Sequence, residues 1–268
     1  MIKPSPTDKG SKNLLSEKIS SLAPYLFCLV LWAVFLGFAN LIVGSALAPG
    51  PLVVLKKLWE LIVSGQAPME MAVTVSRALL GAFLANLVGV LLALPVGRSL
   101  WALKLTSPLV AGLQSCPPVV WVALVMVWAG TGSWTPVVTV FAATLPFVFS
   151  TIAQGVLGLD PRISALSRLY DVPALRYWFK FAIPAITPHW LSGLSSVLAT
   201  GWKAAAVAEF LGSGQGVGAR LYWSYSQLKM EEFQAWALAL IVLGLSLESA
   251  VITPLRRRAA QMAMRSSL

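Results

Sequence analysis

The chain has 268 residues, of which 57% are apolar and only 11% charged; its mean hydropathy is +0.78 and its formal net charge +10. Soluble domains carry roughly 25% charged residues, so this shortage excludes an ordinary water-soluble globule and points to a surface that faces lipid. One histidine, His189, and two cysteines, Cys28 and Cys116, leave too little material for a zinc site, a disulfide framework or a Ser/His triad.

Residues 1–22 are polar, carry Lys3, Lys9, Lys12 and Lys18, and read as an N-terminal tail. An apolar run from Pro24 to about Leu47 follows, longer than the core of a signal peptide, and reads as an uncleaved first span. Six such runs, near 24–46, 69–97, 108–130, 134–157, 184–209 and 235–255, are each long enough to cross a bilayer as a tilted helix. Helices are required, because lipid offers an open backbone no hydrogen-bond partner. Residues 51–64 place Lys56, Lys57, Glu60 and Ser64 on one helical face, which predicts a short amphipathic helix lying at the outer membrane surface. Gly81, Gly89 and Ala93 recur along the second run and predict close helix packing. Cys116-Pro117-Pro118 predicts a break within the third. The expected fold is all-α and integral to the membrane: one transmembrane domain over 23–255, with six helices, between the polar tail and a basic tail at 256–268.

Charge distribution predicts orientation. Fourteen of the 20 Lys and Arg fall in the N-terminal tail, the 98–107 and 158–183 segments and the C-terminal tail. Only Lys56, Lys57, Arg220 and Lys229 fall on the opposite side. Positive charge concentrates in the cytoplasm, so both termini are expected there. This clustering between apolar runs also argues against nucleic acid as the basic chain's partner. The alternating Gly212, Gly214, Gly216 and Gly218 read as a flexible or tightly turning outer loop, with no G-K-[ST] to make a phosphate-binding loop.

The 158–183 segment reads as two short helices. Asp160-Pro161 is a start signal; Ile163, Leu166, Leu169 and Tyr170 then share a face, and Val172-Pro173 ends the helix. A second, aromatic and basic helix (ALRYWFKF) reaches Ile183-Pro184. An amphipathic element of this kind either anchors the chain at the interface or docks another protein. The segment resembles the cytoplasmic loop of binding-protein-dependent ABC importer permeases, whose pattern is E-A-A, three residues, G, then about a dozen residues to a proline. On that register Ala165-Leu166-Ser167 stand at E-A-A, Asp171 at the glycine and Pro184 at the proline, with Arg162 and Arg168 on the same element. The family's acid is missing, and its glycine is replaced by a residue that tolerates a left-handed turn. The resemblance extends over TVSRALLGAFLANLVGVLLALPVG (74–97), PLVAGLQSCPPVVWVALVMVWAGTG (108–132) and GWKAAAVAEFLGSGQGVGARL (201–221). It is nearest to the nitrate, taurine, aliphatic-sulfonate and thiamine-precursor branch.

That resemblance implies a transport subunit of the bacterial inner membrane that is not itself an enzyme, moving a small solute by alternating access. It implies ATPase subunits holding ATP and magnesium and gripping the loop, with no cofactor or metal on this chain. It further implies a periplasmic or lipid-anchored solute-binding protein and a second permease copy or sister chain. The rival expectation is a secondary transporter driven by an ion gradient. Arg77, Lys203 and Glu209 fall within spans, where ionisable groups usually face a protein interior or a water-filled path; they are expected to line or brace the translocation route, the alternative being snorkelling to an interface.

Overall fold

Proline and glycine set the element boundaries. The computed structural model describes residue 27 and residues 30–42 and 44–266, all helix, turn or connection with no strand among them. The tail expected over 1–22, Cys28 and the start of the first run lie outside the described residues. In chain order the helices are α1 (Val30–Ile42), α2 (Pro51–Val63), α3 (Gln66–Val96), α4 (Leu100–Ser115), α5 (Pro118–Ala129), α6 (Trp134–Leu157), α7 (Pro161–Leu169), α8 (Ala174–Tyr177), α9 (Ile183–Gly212), α10 (Val217–Ser226), α11 (Met230–Leu247) and α12 (Thr253–Ser266). The amphipathic helix forms as α2, but its apolar face does not only meet lipid: Val54 and Leu61 are buried in a cluster with Leu36 and Trp236.

Three departures from the sequence reading have local causes. The segment expected as the 98–107 loop is already helical, because the Ser99 hydroxyl accepts from the Ala102 N–H and starts α4 there. The chain then breaks where expected, at Cys116-Pro117, and α5 leaves α4 at 94°. The second short helix of 158–183 does not stop at Ile183-Pro184: it widens into a π-turn, Trp178–Ala182, and runs on as α9. The expected basic tail is likewise helical, joined to α11 through a second π-turn, Glu248–Ile252. Each π-turn ends two residues before a proline, Pro184 or Pro254. In each, the residue before the proline donates five positions back, Ile183 to Trp178 and Thr253 to Glu248. Proline lacks the N–H and its ring crowds the carbonyl four residues earlier, so a wider turn keeps the helix continuous where a tight one would break.

The core is α6 wedged between α3 and α9. Gly81 and Gly89 of α3 and Gly97 at its C-cap face Val140, Val148 and Val156 of α6 with the same period, so closely that an added Cβ would collide with each valine. The matched order makes α3 and α6 parallel. On the other side Gly155 meets His189, and Gly193 and Gly201 meet Thr151 and Thr144, so α9 runs antiparallel to α6. Gly244 of α11 receives Trp202 of α9. From Gln66 onward the chain therefore passes five times between two ends of the bundle, α4 and α5 making one bent pass. One end holds Arg98, α7, α8 and Arg256; the other holds α2, the glycine loop and α10. Three helices (α3, α6 and the continuous Met230–Met264) are long and apolar enough to cross a membrane, and the bent pair makes a fourth if counted as one span.

Candidate functional site

Three places bring polar chemistry together. At the glycine-loop end, Glu70, Thr74 and Arg77 occupy positions i, i+4 and i+7 of α3, one face of a helix, and all three are buried. They meet Glu209 near the end of α9, which is fully buried. Arg77 Nη1 donates to Glu209 Oε1 at 3.1 Å, to Ser213 Oγ at 3.1 Å and to the Gln215 carbonyl at 2.7 Å, while Nη2 reaches Ser133 Oγ at 3.3 Å. Thr74 Oγ1 donates to Glu209 Oε2 at 2.7 Å. Arg220 Nε donates to Glu70 Oε1 at 2.7 Å.

These side chains also cap α10. The first four N–H groups of a helix have no partner of their own, and here three of them find one on another helix. Gly216 N–H donates to Glu70 Oε2 at 2.6 Å, Val217 N–H to Thr74 Oγ1 at 3.0 Å and Gly218 N–H to Glu209 Oε2 at 3.3 Å. Two carboxylates thus sit where the helix dipole favours negative charge. Gly216 has φ 99, and a Cβ there would strike the Glu209 carboxylate. Glycine is needed both for the turn and for the approach, which makes this a tight loop rather than a flexible one. Arg77 and Glu209 therefore brace α3, α9 and α10 as one body. Glu70, Thr74 and Arg220 belong to the same cluster and escape the sequence reading, although the polar stripe of Glu70, Thr74 and Arg77 along an apolar helix carried the signal.

Lys203 is not in that network. It is exposed on α9, 5.6 Å from the Trp202 ring. It lines a groove of about 500 Å³ with Val119 of α5, Phe210 of α9, Leu221 of α10 and Leu240 of α11. Nine residues separate it from Gly212, which at 1.5 Å per residue puts it roughly 14 Å along α9 from the glycine-loop end.

At the opposite end, α7 and α8 form an elbow. Asp160 caps α7 by accepting from Arg162 N–H at 2.8 Å. Arg168 reaches Ser164 Oγ at 3.4 Å, Ser167 donates to the Ser164 carbonyl, and no residue of α7 is buried, Ala165 and Leu166 included. Asp171 has φ 46. Val172 N–H bonds the Ser167 carbonyl at 2.9 Å and Asp171 N–H the Arg168 carbonyl at 3.3 Å. That pair of bonds is a Schellman closure with Asp171 in the left-handed position that usually takes glycine. Pro184 stands in the first turn of α9, beyond the π-turn. The elbow is pinned to α3 through Arg98, whose guanidinium lies 4.8 Å over the Trp178 ring. Glu248, which opens the π-turn after α11, pairs with Arg256 at 2.9 Å, both partly exposed.

The chain is 25% identical to the nitrate import permease protein NrtB of Leptolyngbya laminosa over 212 residues, 75% of each chain. It is 24% identical to the putative aliphatic sulfonates transport permease protein SsuC of Bacillus subtilis over 190 residues, 71% of this chain and 68% of that one. Its fold matches a chain of the MetNI methionine ABC transporter, solved in inward-facing conformations, with a TM-score of 0.54 and 18% identity, covering 79% of this chain and 96% of that one. Residues 85–255, well over half of the chain, match the family of binding-protein-dependent transport system inner membrane components. With the passes of α3 to α11, the elbow between α6 and α9 and these matches taken together, the chain belongs to that family and is a permease subunit of the ABC importer class.

Proposed function

We propose that this permease forms one half of a pathway for a small anion, with separate ATPase subunits driving it through the α7–α8 elbow. The observation that carries the reading is the elbow itself: two short helices on a closed turn, with no buried residue on α7. A segment that rigid and that unpacked presents a surface for another protein. Arg162, Ala165, Leu166, Ser167, Arg168 and Asp171 make up that surface, and Pro184 starts the helix it moves. ATP and magnesium belong to the partner ATPase.

The elbow continues through the π-turn into α9, which spans 30 residues and carries Glu209 at its far end. A displacement of the elbow is delivered along that helix to the α3–α9–α10 body, so both ends of the pathway move together. Arg77 and Glu209 brace this route. Lys203 faces it, because an ammonium at that depth needs water or a partner rather than hydrocarbon. A second permease copy or a sister chain supplies the opposite wall over the Lys203 groove. The small anionic solute is in keeping with relatives named for nitrate and sulfonates, and an external solute-binding protein delivers it.

Six crossings, with α1 the first, α9 the fifth and both termini cytoplasmic, fit the concentration of Arg98, Arg162, Arg168, Arg176, Lys180 and Arg256–Arg258 at the elbow end. The domain is then single, over 23–255, in the bacterial inner membrane. The test is co-purification in mild detergent with the ATPase. Arg168→Glu combined with Asp171→Lys is expected to remove the ATPase from the eluate while the permease stays in the membrane. Unchanged ATPase recovery overturns the docking assignment.

A further inference from the structure

On the elbow-end half of the bundle, α3 and α9 do not close on each other. Phe83, Leu87 and Leu94 on α3 face Ile183 and Trp190 on α9 across a groove of about 430 Å³. It opens sideways from the bundle, and Phe83 and Leu87 are exposed there. Few polar side chains reach its wall, and the donors of two of them, Trp190 and Thr187, are occupied. Trp190 Nε1 donates to Asn86 Oδ1 at 2.9 Å, and Thr187 Oγ1 donates to the Ile183 carbonyl at 2.7 Å. A solute needing hydrogen bonds gains little there; a hydrocarbon chain fits.

The mouth of the groove has the opposite character. Trp178 closes its elbow end, and Arg98, which lines the adjoining recess, holds its guanidinium 4.8 Å from the centroid of that ring. A guanidinium carries five N–H donors, and a cation–π contact does not consume all of them. Among the described residues none of these donors has a hydrogen-bond partner, and no carboxylate lies within ion-pair distance of Arg98. Lys180 is exposed on the same π-turn, between exposed Phe179 and Phe181. Aromatic and basic side chains in this mixture sit at the level of lipid headgroups.

We infer that the α3–α9 groove holds one acyl chain of an anionic phospholipid whose phosphate is taken by Arg98 at the groove mouth. Basic pockets between membrane helices select anionic headgroups in this way. The lipid would touch the π-turn that joins the elbow to α9, and so would sit beside the moving joint without lying in the solute path. This inference is independent of ATPase docking.

The experiment is native mass spectrometry of the full-length permease in detergent, with phosphatidylglycerol and phosphatidylcholine of identical chains added in turn. The wild type should retain phosphatidylglycerol in preference, by about fivefold for one basic side chain. Arg98→Gln should equalise the two lipids. Leu87→Trp, which fills the groove, should lower retention of both, and Leu91→Trp serves if that variant does not fold. Leu41→Trp, on an exposed face of α1, should change nothing. Equal retention of both lipids by the wild type overturns the inference. So does a preference that survives Arg98→Gln, or retention unchanged in both tryptophan variants. A groove-filling variant that dissociates the oligomer without altering lipid retention assigns the groove to a second protein chain and also overturns it.

Discussion

The two ends of α9 are built on opposite principles. At the glycine-loop end, Glu70, Thr74, Arg77 and Glu209 of α3 and α9, all buried, satisfy one another and the start of α10, with half-exposed Arg220 of α10 paired to Glu70. At the elbow end, α7 satisfies only itself: a cap, a Schellman turn and a few bonds between near neighbours. The first arrangement fixes three helices relative to each other. The second fixes the shape of a short segment and leaves its outer surface free. A helix held hard at one end and offered to a partner at the other is suited to carry displacement, since force applied at the free end moves the fixed assembly as a unit.

The sharpest way to break this contrast is Glu209→Ala. It leaves the Arg77 guanidinium buried without its carboxylate and removes the partner of Gly218 N–H and Thr74. Losing one member of a buried pair costs about 3–5 kcal/mol. Thermal unfolding in detergent should show the loss, and Arg77→Met on the same chain should recover part of it, because the orphaned charge is then gone. If Glu209→Ala unfolds at the wild-type temperature, the network is not what holds this end.

Glu70→Gln is the milder version. The glutamine carbonyl can still accept from Gly216 N–H, but the ion pair with half-exposed Arg220 disappears. Loss of one charge-assisted bond costs about 1.5–3 kcal/mol when fully buried, and less here because water reaches Arg220. Limited proteolysis should accelerate across 213–220 while the elbow cleaves as before. Equal acceleration at both places means the two ends are not independent.

Much of this was legible from the residues. The α6 boundaries follow from Trp134 and Gly158, the break at Cys116-Pro117 from its prolines, and the α7 start from Asp160-Pro161. Gly81 and Gly89 signalled close packing because a small residue repeated along an apolar helix has few other uses. The cross-helix partners of Glu70 were not legible: its ligands lie 146 and 150 positions away, and no local period reports contacts that long. The helical continuation past Pro184 and Pro254 also escaped, because proline signals a stop unless a π-turn absorbs it, and no residue type in the sequence announces that wider turn. The three charges singled out inside spans divide by geometry, Arg77 and Glu209 into one cluster and Lys203 into a groove, a distinction that depth in a sequence window does not contain.

The elbow allows a subtler measurement. Asp171 pays a conformational penalty in the left-handed region that glycine would not. Asp171→Gly should therefore hold or raise stability, by up to about 1 kcal/mol, with the turn intact. Asp171→Val should lower it by a similar amount, because a β-branched side chain resists that geometry. Amide hydrogen exchange at Val172, whose N–H closes the turn onto Ser167, reads the difference directly. Protection that does not change between the two variants would mean that the turn is held from outside and not by its own bonds.

Lys203→Met should give the smallest structural effect and the most informative functional one. The side chain is exposed on the isolated chain, pairs with no carboxylate among the described residues, and holds its ammonium 5.6 Å from the centroid of the Trp202 ring. Its removal should leave stability within about 0.5 kcal/mol. If the groove forms a wall of the pathway, the lost positive charge should lower uptake of an anion while ATPase recovery stays constant, since the elbow is untouched. Lys203→Arg separates charge from shape: it should restore most of the uptake if field strength matters and little if the ammonium itself must fit. An unchanged uptake rate in Lys203→Met would place this lysine on a wall that the solute never meets, and the groove between α5, α9 and α10 would then be a contact with another helix.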